Sequence, residues 1–163
     1  DILKKLDGVI DIYLADLRYS DDAEARKYSK TRNYVTSARQ AIIEMTRQVG
    51  TSLQINENKI ATKGLIVRLL VLPNDIAGIE SSLKFLKSEF GTKVTISLMA
   101  QYQPMYKAPD LPLLSRPVYS GEYLRALKRV ESMGFTDVYT QSLDASGNYI
   151  PDFRDGNVTF SGE

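Results

Sequence analysis

The sequence contains no cysteine and no histidine among its 163 residues. It therefore lacks the thiolate and imidazole ligands of the usual zinc, iron–sulfur and haem sites, and it cannot build a catalytic unit on Cys or His. Disulfides are excluded as well, which fits the cytoplasm as the expected location. Chemistry confined to these residues would have to rest on carboxylates, Lys, Arg, Tyr or Ser.

Long apolar runs and a strong net charge are also lacking. No run approaches the roughly 18–20 residues that cross a bilayer, so a soluble chain without a membrane partner is predicted. Lys and Arg (21) nearly balance Asp and Glu (20), for a net charge of +1. This balance argues against a generic polyanion-binding surface, although it is compatible with a local basic patch.

Nucleic acid is not expected as a partner. Several tyrosines are interleaved with Arg26, Lys27, Lys30, Arg32 and Arg39, which is the composition of some nucleic-acid-binding surfaces. However, the net charge is close to zero and no recognised binding motif accompanies them. A glycine-rich phosphate loop of the G-x-G-x-x-G or Walker type is absent too.

The length predicts a single domain over residues 1–163, because one core of this size can be buried. Asp1–Asp7 has the pattern of the last turns of a helix that Gly8 ends. The chain is therefore expected to be a fragment of a larger fold. Residues 136–163, rich in Gly, Asn, Asp and Ser after Asp144, are expected to form an extended C-terminal tail.

Strand-like and helical segments alternate along the chain. Strands are predicted where β-branched and other apolar residues concentrate, at Val9–Leu17, Leu65–Leu72 and Val94–Ala100. Amphipathic spacing predicts the main helices, at Tyr34–Val49, Ile76–Phe90 and Glu122–Met133. Shorter features are a helix at Asp21–Lys27, a small hairpin or extended excursion within Ser52–Thr62 and a strand or extended segment at Val138–Ser142. The order indicates an α/β fold of three consecutive β-α units with a parallel sheet.

Two properties of this sheet suggest that it is incomplete. Three parallel strands are few, and both edges would be open to self-association. The near-continuous apolar run of Leu65–Leu72 indicates burial on both faces, as in parallel sheets covered by helices. We therefore interpret the chain as a sector of a larger barrel or doubly wound sheet.

Charged residues stand at the C-terminal ends of the strands, where parallel α/β folds bind ligands. Asp16 and Arg18 share a face, either as a local ion pair or as the lining of a ligand cleft. Arg68 interrupts an apolar run, and burial of an unpaired guanidinium costs several kcal/mol of folding free energy. Either an acid such as Asp11 or Asp16 neutralises it, or its bidentate fork holds an anionic ligand.

The third strand ends in polar residues as well. Gln101 shares a mixed face with Ser97 and Met99, and this face is expected to meet the interior or a ligand. Tyr102 opens a long proline-rich loop, Tyr102–Pro117, and loops of this length are often functional. An ordinary packing role is the alternative for Tyr102.

With these residues placed, the sequence resembles the C-terminal half of radical S-adenosylmethionine proteins, in the group related to pyruvate formate-lyase activating enzyme. The blocks that carry the resemblance occur in order between residues 9 and 135, at Asp11–Tyr19, Ala25–Ser29, Glu44–Gly50, Gly64–Pro73 and Met99–Pro104. The resemblance implies the second half of a partial (β/α)6 TIM-like barrel. The family's cluster-binding C-x3-C-x2-C motif belongs to the first half, which this chain lacks.

The resemblance also implies roles for individual residues. Asp16 and Arg18 match an Asp-x-Lys pair on the fourth barrel strand that helps to position S-adenosylmethionine, with Arg in place of Lys. Arg68 matches an Arg on the fifth strand at the same ligand. Gln101 and Tyr102 match the end of the sixth strand, which closes over the cofactor.

In this family a 4Fe–4S cluster and S-adenosylmethionine generate a 5′-deoxyadenosyl radical that abstracts a hydrogen atom from the substrate. In the activating enzymes the substrate is a glycine of a partner protein. The resemblance therefore implies an oxidoreductase whose partners are the missing N-terminal half of its barrel and a glycyl-radical enzyme or other protein substrate. The chain would supply part of the cofactor pocket and would be inactive alone.

The residues by themselves leave two other interpretations open. One is a self-contained small α/β module that binds an anionic metabolite through Arg68 and Arg18. The other is a structural domain whose charged strand residues simply pair with each other.

Overall fold

The computed structural model describes residues 2–142, so Asp1 and most of the predicted C-terminal tail lie outside the described residues. Ten helices and strands of this part, together with two short 3-10 turns, form the fold. In chain order the helices and strands are α1 (Ile2–Lys5), β1 (Ile12–Asp16), α2 (Asp22–Ser29), α3 (Tyr34–Val49), β2 (Gln54–Ile55), β3 (Ala61–Leu70), α4 (Ile79–Phe90), β4 (Thr95–Met99), α5 (Ser120–Ser132) and β5 (Val138–Thr140).

The sheet is parallel, with the strand order β1-β3-β4-β5. This confirms the α/β class with a parallel sheet. The segment after α5, predicted as a strand or an extended stretch, adds a fourth parallel strand through pairs such as Ile96 with Val138. The prediction of three parallel strands was therefore one strand short. Within residues 2–142 the sheet edges are β1 and β5, and self-association through them stays a prediction.

The first strand is shorter than predicted, because its first residues belong to a turn. The carbonyl of Leu6 accepts hydrogen bonds from the N–H groups of Val9 (3.0 Å) and Ile10 (3.3 Å), and β1 begins only at Ile12. The predicted hairpin within Ser52–Thr62 is confirmed. There β2 pairs antiparallel with the start of β3, and the Asn56 side chain accepts from two N–H groups of the turn.

The agreement between the predicted and the observed helix bounds differs from helix to helix. The bounds of α3 match the prediction, and Gly50 ends it through a hydrogen bond to Thr46. By contrast, α4 begins at Ile79 rather than Ile76, because a 3-10 turn at Pro73–Asp75 comes first. Among residues 2–142 no helix has both the length and the apolar character that a membrane span requires.

The core lies on one face of the sheet only. Alternate strand residues are buried there against the helices: Tyr13, Ala15, Leu17, Leu65, Val67, Leu69, Ile96 and Leu98. The opposite face, here called the open face, is formed by Leu14, Asp16, Ile66, Arg68, Leu70, Ser97, Met99 and Tyr139. Its residues are half-buried or exposed, and Leu14 is 57% exposed. The prediction that the central strand is buried on both faces was therefore wrong for the described residues.

Candidate functional site

Polar side chains form one row across the open face. Asp16, Arg68, Ser97 and Tyr139 are register partners on four neighbouring parallel strands. Register partners in parallel strands project from the same face, so these four residues follow one another across the sheet. The row lies near the carboxyl ends of the strands, since Asp16 is the last residue of β1. This is the edge at which α/β folds bind ligands.

The centre of the row is a close ion pair. Arg68 Nε donates to Asp16 Oδ1 at 2.6 Å. The two side chains are 37% and 41% exposed, so Arg68 is not the fully buried cation that its apolar neighbours predict. Of the two acids considered from sequence, Asp16 is the one that neutralises it. The terminal nitrogens of Arg68 make no hydrogen bond within residues 2–142, which leaves the fork available to a carboxylate or a phosphate.

Arg18 approaches the same carboxylate from the other side. Its Nη2 lies 3.7 Å from Asp16 Oδ2, and the Arg18 side chain is 46% exposed. The Asp16 carboxylate is therefore close to two guanidinium groups, and this arrangement does not decide between a local ion pair and the lining of a cleft. Exposed ion pairs of this kind contribute only about 0–1 kcal/mol to stability. The fold consequently depends little on this cluster.

Tyr34 fixes the backbone that carries this cluster. Its hydroxyl accepts from the Arg18 N–H at 2.8 Å and donates to the Asp16 carbonyl at 3.2 Å. Burial raises the pKa of Tyr34, and the ring of Tyr19 packs edge-on against it with centroids 5.6 Å apart. Sequence reasoning missed this role, because the partners are backbone groups of a distant segment and leave no side-chain pattern.

The predicted residues after β4 lie at the same edge. Gln101 and Tyr102 are half-buried and follow directly on the last residues of the strand. The Tyr102 hydroxyl donates to the Leu114 carbonyl at 2.7 Å, and its pKa is raised by burial and secondarily by the nearby Tyr19. Tyr102 therefore anchors the long loop. A cofactor contact for either residue stays a prediction.

A buried tyrosine, Tyr123, joins β4, α5 and β5 at this edge. The Tyr123 hydroxyl donates to the Leu98 carbonyl and accepts from the Gln141 N–H, both at 2.9 Å. The Gln141 side chain in turn accepts from the Ala100 N–H at 3.1 Å. These bonds hold the strand ends next to Gln101. The sequence marks Tyr123 only as a residue on the apolar face of a helix.

Leu69, the neighbour of Arg68 on β3, does not contribute to the open face. Its side chain is fully buried. Residues alternate along β3, so Leu69 faces the helices while Arg68 faces the row. Leu69 is therefore a core residue.

The proline-rich loop is held by a carboxylate at the start of α5. Glu122 forms a bidentate pair with Arg116, with N–O distances of 2.8 and 2.9 Å. It also accepts from the N–H groups of Asn74 (2.8 Å) and Tyr119 (2.9 Å). The Asn74 side chain donates to the Leu113 carbonyl at 2.8 Å. The loop is therefore fastened to the turn after β3.

Replacing Glu122 by glutamine is expected to lower the free energy of unfolding at neutral pH by about 1–3 kcal/mol. The hydrogen bonds from Arg116, with those from Asn74 and Tyr119, lower the pKa of Glu122 from 4.5 to about 2. A lowered pKa stabilises the fold above pH 4.5 and loses this effect as the pH falls toward 2. Urea unfolding of both proteins over this range should therefore give curves that converge on acidification.

Glu131→Gln, on an exposed glutamate of the same helix, is the matched control and should leave stability nearly unchanged. A Glu122→Gln deficit that stays constant from neutral to acidic pH would contradict the assignment.

The described residues place no metal-ligand cluster at this site, and two grooves lie elsewhere. Within residues 2–142 no group of three or more Asp, Glu, His or Cys side chains is placed to hold a metal ion. Two grooves of about 440 and 430 Å³ lie on the helical side, one at Leu3 and Glu44 and the other at Arg39 and Phe85. Neither groove includes Asp16, Arg18 or Arg68.

Comparison with known proteins leaves the family open. No family model matches the chain, and no solved structure matches it. Over 135 residues the chain is 27% identical to Uncharacterized protein MJ0674 of Methanocaldococcus jannaschii. The match covers 82% of this chain but only 35% of that protein. The chain thus spans about a third of the length of this curated relative.

Proposed function

We propose that the chain is the C-terminal half of a radical S-adenosylmethionine enzyme resembling the pyruvate formate-lyase activating enzymes. It would contribute part of the S-adenosylmethionine pocket. The observation that carries the proposal is the open face, on which Asp16, Arg18 and Arg68 stand at the carboxyl edge of a parallel sheet. The residue blocks that resemble this family include all three.

A half-barrel accounts for the one-sided core. In a barrel, helices cover the outside of the strands, and the inner face is enclosed by the remaining strands. Here the inner face would be the open face, where Leu14 is 57% and Tyr139 46% exposed. Exposed apolar residues grouped on one face are typical of a surface that another element covers. The proposal assigns that role to the N-terminal half of the barrel.

The side chains of the row suit the polar groups of S-adenosylmethionine. The terminal nitrogens of Arg68, which make no hydrogen bond within the described residues, would bind the carboxylate of the methionine part. A guanidinium fork matches a carboxylate in geometry. The Asp16 carboxylate would accept hydrogen bonds from ribose hydroxyls. Arg18 would add a second cation beside the same ligand.

When bound, S-adenosylmethionine supplies the hydrogen-abstracting chemistry of the enzyme. Residues 2–142 offer no ligand set for a 4Fe–4S cluster, so its ligands would come from the N-terminal half. The part of this chain is to bind and orient the cofactor and to exclude water. The ion pairs with Asp16 hold the side chains of Arg68 and Arg18 in position before the ligand binds. This lowers the free-energy cost of ordering these side chains on binding.

A self-contained module for an anionic metabolite is the second candidate. The terminal nitrogens of Arg68 favour it, because they have no hydrogen-bond partner among residues 2–142 and suit any carboxylate or phosphate. The two candidates differ in what they require. The module needs neither an iron–sulfur cluster nor an adenosyl group, whereas the radical enzyme needs both.

Calorimetric titration of the full-length, anaerobically reconstituted protein distinguishes the two. We expect S-adenosylmethionine to bind, and a large excess of citrate or phosphate to leave that binding nearly unchanged. The control is the same titration after removal of iron, which should weaken binding. Displacement of S-adenosylmethionine by citrate, or equal binding without iron, would favour the metabolite module instead.

A further inference from the structure

Positive charge is concentrated in one short part of the chain. From residue 25 to residue 43 there is no Asp or Glu, although the whole sequence has 20 of them. The cations of this stretch include Arg26, Lys27, Lys30 and Arg32, here called the basic turn. In a protein of net charge +1, such segregation creates a local positive field rather than a mixed surface.

The basic turn is exposed, and its cations form no close ion pair within the described residues. All four side chains are exposed, and none forms an ion pair with a carboxylate of residues 2–142. The nearest acids in sequence have other roles at the start of α2. Asp21 accepts from the Ala23 N–H, and Asp22 accepts from the Val35 N–H. Glu24 is half-buried, one turn from Lys27.

The backbone of the basic turn is fixed. Lys30 (φ 55°) and Asn33 (φ 54°) both adopt the left-handed conformation, which is unfavourable for residues other than glycine. The Lys30 N–H donates to the Arg26 carbonyl at 3.2 Å, and the Lys30 ammonium donates to the Lys27 carbonyl at 3.2 Å. These hydrogen bonds order the backbone of the turn before a partner binds.

Hydrogen bonds place the basic turn beside the candidate site. At one end the Ser29 hydroxyl is bonded to the Tyr19 hydroxyl at 2.8 Å. At the other end Tyr34 is bonded to the backbone of Asp16 and Arg18. The basic turn therefore borders the carboxyl edge of the sheet, next to the Asp16–Arg68 pair.

We propose that the basic turn is the docking surface for an acidic segment of a protein partner. The positive charge of the basic turn is complementary to the negative charge of an acidic segment. Because the turn lies at the carboxyl edge of the sheet, a partner bound there would be close to the candidate site. The proposal rests on the proposed function together with the protein substrate that the resemblance to the activating enzymes implies, which would have to reach this edge. Nucleic acid is disfavoured because the patch is short and 20 carboxylates elsewhere oppose a long polyanion.

Binding of a fluorescein-labelled polyglutamate peptide to the full-length protein tests the proposal. Removing all four charges should weaken peptide binding about tenfold or more and reduce its salt dependence. The variant that does so is Arg26→Gln, Lys27→Gln, Lys30→Gln, Arg32→Gln. The control is a fourfold variant that removes the same charge from exposed positions elsewhere: Lys59→Gln, Lys63→Gln, Lys93→Gln, Lys128→Gln. It should retain nearly all of the affinity.

Three outcomes would overturn the proposal: no binding of the peptide, equal weakening by the two variants, or tighter binding of an oligonucleotide of equal charge. The peptide assay needs neither S-adenosylmethionine nor iron. Its failure is therefore separable from a failure of the proposed function, which the cofactor titration reports. Circular dichroism of both variants verifies that the fold is retained.

Discussion

Replacing Arg68 by alanine is expected to weaken S-adenosylmethionine binding by about 10- to 100-fold, since a hydrogen bond to a charged group contributes about 1.5–3 kcal/mol. The loss arises from the terminal nitrogens of Arg68, which have no partner within residues 2–142 and would meet the ligand. The measurement is calorimetric titration of the full-length, reconstituted protein. Arg68→Lys should give an intermediate affinity, because it keeps the charge but loses the fork.

The fold should tolerate this substitution. The ion pair of Arg68 with Asp16 is more than a third exposed on both sides, and such pairs contribute only about 0–1 kcal/mol. Arg125→Ala, on an exposed arginine of α5, is the matched control and should bind the cofactor normally. An Arg68→Ala titration that superimposes on the wild-type curve would remove Arg68 from the pocket.

The largest loss of stability is expected for Gly64→Ala, about 2–5 kcal/mol from backbone strain and steric overlap together. Gly64 has a φ of 131° and is the register partner of Ile12. A Cβ at this position would overlap the Ser52 carbonyl oxygen and lie 2.9 Å from the Leu53 Cα. These neighbours are backbone atoms, so the overlap is relieved only by moving the start of β3. Urea unfolding measures the effect.

Gly91→Ala separates strain from overlap. Gly91 also has a positive φ, of 74°, but a Cβ there would meet no atom within 4 Å. This control should lose about 1–3 kcal/mol, the cost of a backbone conformation (φ 74°, ψ −158°) that residues with a side chain rarely adopt. Equal losses for the two variants would show that the close approach of Ser52 and Leu53 to Gly64 does not constrain the fold.

The sequence predicts the helices and strands better than it predicts which faces of the sheet are covered. The three- and four-residue spacing in Tyr34–Val49, ended by Gly50, contains all that is needed to place α3. The start of α4 was misplaced, because the spacing of Ile76 and Ile79 does not reveal the left-handed Asn74 and Asp75 of the turn before it. An apolar run such as Leu65–Leu72 likewise does not record whether its second face is covered within the same chain.

The candidate site shows the same division. Asp16, Arg18 and Arg68 were identifiable because charges at the ends of apolar strands conflict with burial, and the structure brings them together. Tyr34 and Tyr123 were not, because each hydroxyl bonds to backbone groups that become neighbours only after folding. A side chain that bonds to backbone groups has no partner side chain, so the sequence contains no second residue that would indicate the bond.

The yield of 5′-deoxyadenosine is the most direct test of the claim that this chain belongs to a cofactor-cleaving radical enzyme. The full-length protein is reconstituted anaerobically with iron and sulfide, reduced, and mixed with S-adenosylmethionine. We expect 5′-deoxyadenosine to accumulate only when cluster, reductant and cofactor are all present. A full-length protein with a reduced 4Fe–4S cluster that forms no 5′-deoxyadenosine would contradict the claim, and so would one that takes up no cluster.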